Sequence, residues 1–115
     1  MKIEEWTVSA TPRFMQDVAH LQINEGQLYI WERNLSQDPM IGDRLFEEMA
    51  SELRIYGVMG HSIIYHANFD KQKVQLHRLI PHEGRTLLEK LRAATRAGDR
   101  GAKMVERVLG ALSQL

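Results

Sequence analysis

The chain has no cysteine, and that one absence removes disulfide staples, thiolate metal sites and cysteine nucleophiles together. It also lacks any apolar run approaching the length of a membrane span. The opening Met-Lys-Ile-Glu-Glu-Trp has no apolar signal core, so the expected home is the cytoplasm. The nucleophile elbow Gly-x-Ser-x-Gly is missing, and Ser62 beside His61 is only a neighbour on alternate faces. Neither Gly-x-x-x-x-Gly-Lys nor Gly-x-Gly-x-x-Gly occurs, which leaves no phosphate cradle. These absences point away from an enzyme. No internal repeat or low-complexity tract is present.

What remains is ordinary globular material. Of 115 residues, 26% are charged and 43% hydrophobic, values that suit one domain with a single core over residues 1 to 115. Net charge is zero, but it is unevenly spread. Residues 1 to 60 carry ten acidic and five basic side chains, and residues 61 to 115 carry five acidic and ten basic. A basic half can mark a polyanion-binding tail, whereas two opposed halves packed together simply neutralise each other; a nucleic-acid domain is usually basic throughout.

Residues 60 to 91 organise the rest as a β-hairpin feeding a helix. With Lys71 and Gln72 as the turn, alternation pairs Phe69 with Val74, Ala67 with Leu76, Tyr65 with Arg78 and Ile63 with Ile80 on one mostly apolar face. The other face pairs Asn68 with Gln75, His66 with His77 and Ile64 with Leu79, polar near the turn and apolar at the far end. Upstream, residues 3 to 9 read as a short strand with Trp6 and Val8 on one side. Thr11-Pro12 starts a helix over residues 12 to 22, with Phe14, Val18 and Leu21 at helical spacing; a strand over 14 to 23 is the competing reading. Residues 27 to 33, rich in aromatic and branched side chains, read as a strand. Asp38-Pro39 repeats the cap-plus-proline start, and Ile41, Leu45, Met49, Leu53 and Tyr56 draw a stripe along a helix ending at Gly57. After Pro81, two apolar stripes separated by Gly98 and Gly101 give two helices or one bent one. The expected fold class is α+β: an antiparallel sheet of about four strands packed by three to four helices in a two-layer sandwich.

Three constellations could carry chemistry. His66 and His77 face each other across the hairpin with Cβ atoms about 5 Å apart, close enough to share a metal; a third ligand is wanted, Asn68 and Gln75 are poor ones, and two histidines on a half-exposed sheet are otherwise unremarkable. No metal or other cofactor is expected on these grounds. Arg85, Arg92, Arg96, Arg100, Lys103 and Arg107 recur at spacings of three, four or seven, so a continuous helix lines most of them up as a ridge for polyanion or an acidic partner, or as the solvated back of an amphipathic helix. No aromatic residue interleaves with them, which makes nucleic acid unlikely. Asp43, Glu47, Glu48 and Glu52 fit a solvated helix face. Finally, Trp31, Phe46, Met49, Leu53, Ile64 and Leu79 supply more apolar surface than one core face needs, suiting a protein interface.

The order helix, strand pair, helix over Asp43 to Tyr56, Ser62 to Asn68, Lys73 to Leu79 and Thr86 to Leu91 resembles the small chaperones and chaperone-like regulators of bacterial type III secretion. That resemblance implies a non-enzymatic protein-binding module, without cofactor or membrane attachment, that forms a homodimer and holds a secretion substrate or regulator along its sheet. The alternatives are a small-molecule or metal-binding α+β protein and a nucleic-acid-binding regulator using the basic C-terminal helix.

Overall fold

The computed structural model describes residues 5 to 81 and Gly110. Strand β1 (Thr7–Ala10) leads into helices α1 (Pro12–His20) and α2 (Glu25–Gln37), and then into four strands: β2 (Asp43–Glu48), β3 (Ser51–Val58), β4 (His61–Asn68) and β5 (Lys73–Ile80). The strands make one sheet in the order β1-β5-β4-β3-β2. β2 to β5 run as an antiparallel meander, and β1 closes the far side parallel to β5, with Val8 against Val74 and Ala10 against Leu76. The expected α+β class holds. The described residues carry five strands in a mixed sheet and two helices, against about four antiparallel strands and three to four helices. Of the expected helices after Pro81 only Gly110 falls among the described residues, in helical conformation.

Helix α1 forms where its cap signals place it. The Thr11 hydroxyl accepts from the Phe14 amide at 3.2 Å and Pro12 occupies the first turn. Phe14 and Val18 are buried and Leu21 packs beside them. The next two segments exchange roles relative to the sequence reading. Residues 27 to 33 are helix, because Asn24 caps α2 by accepting from the Gln27 amide at 2.7 Å, and Leu28, Trp31 and Leu35 fall at spacings of three and four on the face that meets the core. Tyr29 and Ile30, which a strand would have used, point out at 62% and 52% exposed.

Residues 39 to 56 are not a helix but a loop and a β-hairpin. Asp38-Pro39 makes a tight turn, in which the Ile41 amide donates to the Asp38 carbonyl at 3.1 Å and the Met40 amide to the Asp38 carboxylate at 3.3 Å. Met49 then takes a positive φ of 36° at the β2–β3 turn, interrupting the apolar stripe. In β3 the period is two: Leu53 and Ile55 face one way, Glu52, Arg54 and Tyr56 the other.

The β4–β5 hairpin is present with a longer turn. Residues 69 to 72 connect the strands, so Asn68 pairs with Lys73, Ala67 with Val74 and His66 with Gln75. The displacement from the expected register is two residues, so Tyr65, Ala67, Val74 and Leu76 keep their common face. A bulge between Ile64 and Tyr65 then shifts the pairing by one, setting Arg78 opposite Ile64 and Leu79 opposite Ile63. Leu79 thereby turns to the helix side, where Arg78 had been expected.

The core lies between the helices and one sheet face: Phe14, Val18, Trp31 and Leu35 meet Val58, Ile63, Tyr65, Ala67, Val74, Leu76 and Leu79. On the opposite face Leu53, Ile55, Ile64 and Ile80 are also buried. The loop before β2 is held down by polar contacts. The buried Tyr65 hydroxyl donates to the Pro39 carbonyl at 2.7 Å and accepts from the Gly42 amide at 3.1 Å, and the Arg54 guanidinium donates to the Met40 and Gly42 carbonyls. Gly42 approaches so closely that a Cβ there stands 2.5 Å from the Ile55 carbonyl oxygen. Gly42→Ala is therefore expected to destabilise by about 1–3 kcal/mol in urea unfolding, since backbone on both sides must move. Gly57→Ala, whose added Cβ meets nothing within 4 Å, is the control and leaves stability nearly unchanged.

Candidate functional site

Beyond the end of β1, the outer edge of β5 is satisfied by α1. The Thr11 amide donates to the Leu76 carbonyl at 3.0 Å and its hydroxyl to the His77 carbonyl at 3.2 Å. Asp17, one turn before the end of α1, accepts from the Leu79 amide at 3.0 Å and from Arg78 Nε at 2.8 Å. This carboxylate replaces the strand that β5 lacks there and neutralises the guanidinium of Arg78, a residue only 9% exposed. A second polar cluster sits on β2 and β3: Glu52, 8% exposed, accepts from Arg54 Nε at 2.6 Å, with Arg44 3.8 Å away and Arg44 also bonded to Glu47. The expected solvated helix face of Asp43, Glu47, Glu48 and Glu52 is thus two strands, with Glu52 paired inside. No sequence spacing announces the 61-residue link from Asp17 to Arg78. The alternation of Glu52 and Arg54 inside an apolar stretch was the one available signal for the other cluster.

The open end of the face opposite the helices carries His66, Asn68, Lys73 and Gln75, with His77 at the bulge. His66 and His77 come together as expected, though not as a directly opposed pair: their ring centroids are 6.4 Å apart with planes at 63°. Burial, and the neighbouring His66, push the His77 imidazole below its usual 6.5. Among the described residues no group of three or more histidine, aspartate or glutamate side chains is placed to hold a metal.

Two shallow depressions flank α2. One, of about 230 Å³, is lined by Glu5, Val8, Tyr29, Glu32, Arg33 and Ser36, and burial raises the Glu32 carboxyl above its usual range. The other, of about 200 Å³, lies between the α1–α2 connection and the β3–β4 turn, with Trp31, Met59 and His61 on its wall.

Of the residues expected to bind a partner, Trp31, Leu53, Ile64 and Leu79 are interior side chains no more than 3% exposed. Phe46 is half-buried on β2 and Met49 stands fully exposed at a turn. Among the described residues, the exposed large apolar side chains are instead Met15, Tyr29, Ile30, Met40, Ile41, Met49 and Met59. Arg92, Arg96, Arg100, Lys103 and Arg107 lie outside the described residues. No helix among the described residues is long and apolar enough to cross a membrane.

No protein-family model matches the chain, and no curated protein matches it. Among solved structures it is similar to a chain in the archaeal RelE–RelB complex from Pyrococcus horikoshii OT3, at 15% identity and a TM-score of 0.60, covering 70% of this chain and 98% of that one. It is similar also to a chain in the toxin–antitoxin complex RelBE2 from Mycobacterium tuberculosis, at 20% identity and a TM-score of 0.52, covering 68% and 92%. The likeness is one of fold. It overturns the resemblance to type III secretion chaperones, and with it the secretion-adaptor function: the helix over Asp43 to Tyr56 on which that resemblance rested is a β-hairpin.

Two measurements check this geometry. Asp17→Ala is expected to destabilise by about 3 kcal/mol in chemical denaturation, because it strands a buried guanidinium and an edge amide. For His77, ring NMR is expected to place the midpoint of titration below 6.5. The unfolded chain then takes up that proton more readily than the folded one, so stability falls as pH drops through about 6.5, and His77→Gln flattens that part of the profile.

Proposed function

We propose that this chain is one component of a toxin–antitoxin pair, a folded domain held by a second protein. The observation that carries the reading is the extent of the fold likeness, which takes in 98% and 92% of two chains from such complexes rather than a fragment of them. The surface supports a protein partner. Tyr29 and Ile30 on α2 and Met40 and Ile41 in the loop before β2 are large apolar side chains between 42% and 62% exposed, and aromatic and methionine side chains are enriched where proteins meet.

The test is expression of the chain alone from a tightly controlled promoter in a bacterial host, then together with the protein encoded beside it. The expected outcome is arrested growth in the first case, and restored growth with a co-purifying complex in the second. Ile30→Glu is expected to weaken that complex by tenfold or more, on the order of 1–2 kcal/mol, the loss of one apolar contact side chain. Unimpaired growth with soluble, folded chain and no retained partner contradicts the proposal.

A further inference from the structure

The histidine pair of β4 and β5 lies on the sheet face opposite the helices, outside the core cluster. Its position has a specific structural cause. The bulge inserts His77 between Leu76, which pairs with Tyr65, and Arg78, which pairs with Ile64. Alternation from Leu76 puts His77 on the face that already holds His66 and Gln75, the bulge leaves it without a directly opposed partner, and the two rings stand 6.4 Å apart. His66 stands on β4, laddered on both sides by β3 and β5, and His77 sits just past the end of the β1 pairing, where its carbonyl accepts from the Thr11 hydroxyl.

We infer that His66 and His77 together form a binding site for a divalent late first-row transition ion, of the zinc, nickel or copper class. Imidazole nitrogen selects these ions over magnesium and calcium, which take oxygen ligands. With nitrogen–metal bonds of about 2.0–2.1 Å, the ring centroids stand roughly 5 Å apart at a tetrahedral angle and about 6.4 Å apart only when the two nitrogens oppose each other across the ion, so rotation of the rings about their side-chain bonds has to draw them together by about 1 Å. Water fills the positions that the two imidazoles leave open. With two protein ligands the ion is exchangeable, and its effect is to tie β4 to β5 across the bulge, where the ladder is interrupted.

The experiment is titration of the full, untagged chain with zinc chloride, followed by calorimetry and by thermal unfolding. Wild type and His20→Gln, whose histidine is exposed on α1, are expected to bind one zinc per chain and to unfold at higher temperature with it. His66→Gln and His77→Gln are each expected to need about tenfold more zinc or to show no response. Ring NMR of the wild type adds a reading that does not depend on how the variants fold: zinc is expected to shift the His66 and His77 imidazole resonances before those of His20. Failure of wild type to bind, equal binding by both variants, or shifts that spare His66 and His77 each overturn the inference. None of these results bears on growth arrest or on capture of a partner, so the two proposals fail separately.

Discussion

The parallel pairing of β1 with β5 is the constraint on which the rest of the structure depends. It joins Thr7–Ala10 to the strand that begins at Lys73, so the chain must travel out through two helices and return through a four-strand meander before its first strand has a partner. That route puts α1 and α2 on one face of the sheet and makes β5 an interior strand along its first half. Where β1 stops, at Ala10, α1 takes over the edge of β5 through Thr11 and Asp17. The Trp6 amide and carbonyl are tied to Ser36 at the end of α2, at 3.0 and 2.6 Å, so the entry to β1 and the end of α2 hold each other in place.

Around this frame, apolar burial supplies the drive and a few buried polar groups fix the geometry. Burial of side chains such as Phe14, Trp31 and Leu35 contributes roughly 1.5–3 kcal/mol each, but it does not say where a loop lies. That is decided by directional contacts. Tyr65, fully buried and with its hydroxyl pushed up to about 12 chiefly by that burial, keeps its proton and uses it on Pro39. Arg54 is neutralised by Glu52 while its remaining donors hold the loop carbonyls. The ion pairs add little net stability over apolar packing, yet losing one member leaves a buried charge, which makes them strong determinants of register.

The parts of this fold that were legible in the sequence are those governed by neighbouring residues. Thr11-Pro12 announced α1, alternation in residues 62 to 80 announced the hairpin and its apolar face, and Trp6 and Val8 were placed correctly on one side of β1. What misled were segments satisfying two periods at once. Leu28, Trp31 and Leu35 fit a helix as well as Leu28 and Ile30 fit a strand, and the cap at Asn24 decided between them. Ile41, Leu45, Met49 and Leu53 fit a helix in spacing, but strand pairing of Leu53 and Ile55 with β4, and the anchoring of Gly42 by Tyr65, outweighed it. The links from β1 to β5 and from Asp17 to Arg78 join residues more than 60 positions apart, and no local pattern encodes them. At the candidate site, the meeting of His66 and His77 could be read from alternation, while the bulge that sets their separation could not.

The mixed sheet depends on the arrangement of β1 against β5, which is what most needs a direct measurement. Because the chain has no cysteine, a pair of introduced cysteines reports that arrangement without competition. Ser9 and Gln75 are exposed and paired in the parallel register, within the reach of a disulfide. The variant carrying Ser9→Cys and Gln75→Cys is expected to close an intrachain bridge under mild oxidation and to unfold at a higher temperature when bridged than when reduced. A chain that stays reduced, or that forms only bridges between molecules, contradicts the parallel closure of the sheet.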